Sequence, residues 1–78
     1  MEIRIKYCAS WNYQPRAAGL ADEIKQNTGI VPTLEPGSGG VYDISADGTL
    51  LYSKHKTGSF PDNNEILAKI RKFEKQKG

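Results

Sequence analysis

Cys8 is the only cysteine among 78 residues, so no internal disulfide can brace the fold. A chain this short buries only about 60% of its unfolded surface and builds a single core. That core must carry the stability, or a second chain must help. Hydrophobic residues make up 37% of the sequence, low but sufficient for a globule, and residues 1–78 read as one domain. Charged residues make up 26% with a net charge of only +2, the signs mixed. That is an ordinary surface, not the dense basic stripe that a phosphate backbone requires, so no nucleic-acid partner is expected. No membrane is expected either. No run approaches the roughly 20 apolar residues of a span. The N-terminal MEIRIKY carries Glu2, Arg4 and Lys6 where a signal core would be apolar. A lone cysteine without a secretory signal points to a reducing compartment, the cytoplasm.

Hydrophobic periodicity divides the chain into six elements. In EIRIKYC (residues 2–8), Ile3, Ile5 and Tyr7 alternate with Glu2, Arg4 and Lys6, the pattern of a half-buried strand. A helix opens at Pro15, which is tolerated at the first helical position. Ala17, Ala18, Ala21 and Ile24 form its apolar stripe, and Gly29 suits its left-handed cap. IVPTLE (30–35) reads as a short strand, with Pro32 at an edge or a strand end because it lacks an amide donor. PGSGG (36–40) reads as a turn. VYDIS and TLLYSK flank Asp47-Gly48, a strong hairpin signal. Val41 and Ile44 break strict alternation, which calls for a bulge near Asp43 or a strand covered on both faces. HKTGSF (55–60) reads as a loop. Pro61 or Asp62 opens a last helix, with Asp62 and Glu65 spaced as a capping box and Ile66, Leu67, Ile70 and Phe73 as its stripe. The terminal KQKG is expected to fray. The order βαβββα makes an α/β two-layer sandwich. A strand, a loop and a helix with a cysteine at the strand's end have the layout of thioredoxin-like domains.

Two residues of the first loop stand out. Free cysteines are usually buried and inert. Cys8, however, falls on the strand face opposite Ile3 and Ile5 and leads into ASWNYQ, and polar loops run over surfaces and carry chemistry. An exposed, reactive thiol is therefore expected, and with it disulfide dimers in air. Pro15 keeps the helix from starting before about Gln14, since proline in an interior turn costs roughly 3 kcal/mol. Dipole activation of Cys8 should then be weak, and Arg16 either adds some positive potential or is a solvated surface residue. Trp11 lies between Ser10 and Asn12, where an exposed indole marks a contact site or a substitution. A Cys-x-x-Trp loop cannot close a disulfide ring. His55 has no metal-ligand spacing around it and reads as a solvated residue, useful as a proton donor only if its loop folds beside Cys8.

The chain resembles the Rdx family, which includes selenoprotein W, over almost its whole length. YCASW (7–11) matches a strand ending in Tyr-Cys and followed by Cys-x-x-Cys or Cys-x-x-selenocysteine. YQPR (13–16) is similar to the Tyr-x-Pro-basic stretch. GVYDI (40–44), GTLLYSK (48–54), GSFP (58–61) and EILAKIRKF (65–73) follow in family order. The resemblance implies a thioredoxin-like fold and a thiol- or selenol-based redox role, often linked to glutathione, with no resident cofactor or metal. Cys8 corresponds to the nucleophilic or resolving thiol. Trp11 occupies the place of the second cysteine or selenocysteine, and the selenocysteine codon UGA is one base from UGG, which encodes tryptophan. The expectation is that residue 11 is natively selenocysteine or cysteine, and that the chain with tryptophan is redox-impaired. Ser10, Tyr13, Arg16, Gly58 and Phe60 would line the rim, with glutathione or protein thiols as partners. The alternative is a non-catalytic interaction module that grips a partner through Trp11, Tyr13 and Phe60. An exposed Cys8 with a depressed pKa would favour redox chemistry, and an unreactive Cys8 the module.

Overall fold

The structure is a computed structural model and describes residues 1–77. Strands β1 (Ile3–Cys8), β2 (Thr33–Gly37), β3 (Tyr42–Ala46) and β4 (Thr49–Ser53) form one sheet in the order β2-β1-β3-β4. β1 runs parallel to β2 and antiparallel to β3, and β3 and β4 form a hairpin. Helices α1 (Gln14–Thr28) and α3 (Asn63–Lys77) pack on the sheet and on each other, and α2 (Lys54–Thr57) is a single turn after β4. The result is a thioredoxin-like two-layer sandwich in the expected order, with that one turn added.

The core follows from the alternation. Ile3, Ile5 and Tyr7 of β1 stand beside Tyr42, Ile44 and Ala46 of β3 on one face. Ala17, Leu20 and Ile24 of α1 and Ile66, Leu67 and Ile70 of α3 close over them. The stripe of α1 differs from the expected one. Ala18 is exposed and Leu20 is fully buried, because a 3.6-residue period carries the stripe from Ala17 through Leu20 to Ile24. Phe73 packs at the edge of this core. The opposite face of the sheet carries Arg4 and Lys6. Arg4 pairs with Glu2 at 3.1 Å and reaches Glu35 at 4.0 Å.

The ends of the elements show where local signals hold and where they yield. α1 opens beside Pro15, and the Gly29 N–H donates to the Lys25 carbonyl at its other end (2.9 Å). At the head of α3, Glu65 and Ile66 donate their N–H groups to the Asp62 carbonyl at 3.0 and 3.3 Å. β2 starts later than expected, and it includes Pro36 and Gly37. Parallel pairing with Tyr7 and Cys8 draws both residues out of the expected turn and into the sheet. β2 is an edge strand, which is where prolines are tolerated. Lys75 to Lys77 continue α3 instead of fraying, and Gly78 lies outside the described residues. Among the described residues no helix is long and apolar enough to cross a membrane.

The hairpin turns at Asp47-Gly48, with φ of 49° and 83°. Two left-handed residues in sequence define the turn whose twist matches the strands. The Asp47 carboxylate also accepts the Glu2 N–H at 2.7 Å, tying the turn to the start of the chain. The expected bulge lies one residue further on, at Ile44/Ser45. Gly48→Ala should cost about 1 kcal/mol, because the added Cβ strains a left-handed φ and meets nothing to reward it. Urea unfolding would show this, and an unchanged midpoint would mean that the turn is not held in this form.

Candidate functional site

β1 delivers Cys8 to the end of the sheet, and the backbone there turns back on itself. The Cys8 N–H donates to the Val41 carbonyl at 2.8 Å, and the Ala9 N–H donates to the Gly37 carbonyl at 3.2 Å. These two bonds tie the loop to the β2–β3 connection. Asn12, at φ 60°, then reverses the chain. The Asn12 N–H reaches the Ala9 carbonyl at 3.4 Å, and the Tyr13 N–H reaches the Cys8 carbonyl at 3.2 Å. Cys8 and Trp11 therefore lie on one closed turn that feeds directly into α1.

Cys8 is fully buried, which corrects the expectation of an exposed thiol. The strand alternation itself holds, because Cys8 lies outside the core cluster beneath the helices. On its face the strand end is crowded: a Cβ on Gly37, the strand partner of Cys8, would lie 2.9 Å from the Val41 side chain and 3.1 Å from the aliphatic stem of Lys6. Sequence periodicity gives the face that Cys8 takes, not what packs over that face. With the sulfur enclosed, disulfide dimers are not expected from the folded chain.

Trp11 is 60% exposed. Its indole is seated on the backbone of Gly40, where a Cβ would come within 2.6 Å of the ring. GSGG is thus more than a turn, because Gly40 forms the floor under Trp11. From Trp11 a chain of edge-on aromatic contacts runs inward. Trp11 meets Tyr13 (6.1 Å between ring centres), Tyr13 meets Phe60 (4.7 Å) and Tyr42 (6.4 Å), and Phe60 meets Tyr42 (5.3 Å). Two cations border this cluster. The Arg16 guanidinium lies 4.0 Å from the centre of the Phe60 ring, and the Lys54 ammonium lies 5.2 Å from the same ring and 5.8 Å from that of Tyr13.

The structure thus brings Phe60, distant in sequence, against Trp11, Tyr13 and Arg16 of the first loop and helix. Ser10 is exposed in the turn beside them. Gly58 does not join the cluster. It caps α2 at φ 83°, and its N–H bonds to the Lys54 carbonyl at 2.7 Å. HKTGSF is accordingly not a simple loop, since α2 occupies residues 54–57. Tertiary bonds hold that turn: the Thr57 hydroxyl donates to the Tyr52 hydroxyl oxygen and the Tyr52 hydroxyl to the Ser59 carbonyl, both at 2.8 Å. His55 is exposed on α2. Lys54 is the member that sequence reasoning missed. It reaches the site only because α2 turns the chain back toward Tyr13.

Tyr42 is the buried anchor of the cluster. Its hydroxyl approaches the Arg16 carbonyl at 3.5 Å, a long and weak bond. Burial pushes its pKa from 10.0 up to about 12, partly opposed by the Arg16 charge, which favours the phenolate. Below pH 10 the folded and unfolded chains both hold the proton. Between 10 and 12 the unfolded chain loses it first, so rising pH favours unfolding. Stability should therefore fall across that window. Tyr42→Phe should flatten the fall, as read from urea midpoints at stepped pH. An equal slope in both proteins would place the alkaline sensitivity elsewhere.

The model of the Rdx family matches residues 2–72. Migration and invasion enhancer 1 of Bos taurus is 29% identical over 73 residues, and that of Mus musculus 27% over 73. Each match covers 92% of this chain but 64% of the relative, so the chain spans less than two-thirds of the length of these relatives. The crystal structure of a selenoprotein W-related protein from Vibrio cholerae superposes with a TM-score of 0.87 at 25% identity, covering 92% of this chain and 94% of that one. A crystal structure from Bordetella parapertussis gives a TM-score of 0.88 at 31% identity, covering 92% and 95%. A family model that spans nearly the whole chain, together with these two superpositions, establishes that the chain belongs to the Rdx family.

Proposed function

We propose that this is a small redox-type protein whose working pair is Cys8 and residue 11, with residue 11 natively selenocysteine or cysteine. The observation that carries the reading is the difference in exposure within one closed turn: position 11 is 60% exposed and Cys8 is fully enclosed. An external oxidant reaches position 11 first, so that position holds the attacking group and Cys8 is the resolving thiol. A selenolate or thiolate at 11 attacks a peroxide, the O–O bond breaks, and an alcohol leaves with a proton. The Cys8 thiol then attacks the oxidised atom and displaces water, and a bond between residues 8 and 11 forms. Two electrons have left the pair. Two glutathione thiols, or a protein dithiol, return them and open the ring. With tryptophan at 11 no group is present to attack the peroxide and Cys8 has no oxidised atom to resolve, so this chain should show little dithiol turnover.

A second reading rests on the seat of Trp11. An indole fitted against Gly40 and edge-on to Tyr13 is a well-made aromatic surface. Together with the enclosed Cys8, it favours a binding module that has given up ring chemistry. The intact mass and isotope pattern of the protein purified from its native source separates the two. A selenium pattern, with the mass of selenocysteine in place of tryptophan, supports the redox reading. The tryptophan mass removes the selenol and moves the module to first place.

A further inference from the structure

We propose that Trp11, Tyr13 and Phe60, bordered by Arg16 and Lys54, form a docking surface for an acidic peptide segment of a partner protein. The proposal deepens the module reading of the same surface. Its first support is the state of the two cations. Among the described residues, neither the Arg16 guanidinium nor the Lys54 ammonium is ion-paired or hydrogen-bonded. Glu23 and Asp62 share a shallow cavity with Arg16, yet neither is paired with it. Both cations instead lie against the Phe60 ring, at 4.0 and 5.2 Å from its centre.

That placement leaves their donors usable. A guanidinium stacked on a ring spends its face and keeps its edge, where all five N–H groups lie. A carboxylate at that edge would therefore add to the present contacts without having to break them. The second support is the composition of the patch. Tryptophan, tyrosine and arginine are the residues that most often dominate binding energy at protein interfaces. Here all three types converge, with the indole exposed and already fixed in position by Gly40. Unpaired positive charge beside a rigid aromatic surface is complementary to a segment in which Asp or Glu flanks an apolar residue.

Trp11 is the only tryptophan in the chain, so its emission reports this surface alone. The test is selection of binders from a random dodecapeptide display library against the full chain with Trp11 intact. The best peptide is then synthesised and titrated against Trp11 emission. The expected result is enrichment of Asp and Glu, a saturable blue shift, and binding that weakens with added salt. The double variant Arg16→Gln/Lys54→Gln should bind at least tenfold more weakly. Arg4→Gln, on the opposite face of the sheet, should bind as the parent does. Absence of binders, binders without acidic enrichment, or equal binding by the double variant would overturn the proposal. So would displacement of the peptide by glutathione at matching concentration, or self-association of the chain through this face in sedimentation. The proposal rests on the tryptophan that the redox reading replaces: a native selenocysteine or cysteine at 11 would remove the indole from this surface, whereas failed peptide binding leaves the redox reading untouched.

Discussion

In the folded chain, Cys8 should react with an aromatic disulfide such as Ellman's reagent at least roughly 100-fold more slowly than in denaturant, because a buried group reacts only through local opening. The sulfur is fully enclosed. Opening it requires release of the Cys8–Val41 and Ala9–Gly37 backbone bonds, and β1 lies inside the sheet with a partner on each side. Thiol titration with and without urea reads the ratio directly. Gly37→Ala gives an independent handle. Its Cβ would press on Val41 at 2.9 Å and on Lys6 at 3.1 Å, so it should loosen the cover and raise the native rate. Equal rates in the folded and unfolded chains would mean that the thiol is open, and the division of labour between positions 8 and 11 would fail with it.

Gly40→Ala should lower stability by about 2–3 kcal/mol, the sum of a left-handed backbone forced on a non-glycine residue and a displaced aromatic. Gly40 sits at φ 77°, and the new methyl would lie 2.6 Å from the Trp11 ring. Because Trp11 is largely exposed, its ring can swing outward. The backbone part of the loss then remains and the packing part moves to Trp11. A double-mutant cycle separates them. In a Trp11→Ala background, Gly40→Ala should cost only the backbone part, about 1–2 kcal/mol. Trp11 emission in Gly40→Ala should shift to the red as the indole leaves its seat. Strictly additive losses, with unchanged emission, would show that Trp11 does not rest on Gly40.

Much of this could be read from the residues alone, and the parts that could not share a cause. The alternation of Ile3, Ile5 and Tyr7, the Asp47-Gly48 turn and the Ile66–Ile70 stripe are local patterns with strong physical reasons, and they set the element order. The sequence does not single out Leu20 over Ala18, because a run of alanines offers several nearly equal stripes. α2 leaves no mark in the sequence, because four residues carry no period. That turn is held instead by the hydroxyls of Tyr52 and Thr57. β2 extends through Pro36 and Gly37 because its partner strand fixes it there, against local preference. At the site, the members Trp11, Tyr13, Arg16 and Phe60 were legible, while their seat and their border were not. Gly40 under the indole, Lys54 beside Phe60 and the cover over Cys8 all arise where segments distant in sequence fold against one another.

The most direct test of the roles given to positions 8 and 11 restores the missing sulfur. Trp11→Cys and Trp11→Cys/Cys8→Ser are each mixed with oxidised glutathione alongside the parent chain, and intact masses are followed in time. The double variant should capture one glutathione rapidly, the parent chain should capture almost none, and Trp11→Cys should lose two hydrogens as its internal ring closes. Rapid capture by the parent chain, with none by the double variant, would reverse the assignment and make Cys8 the attacking group.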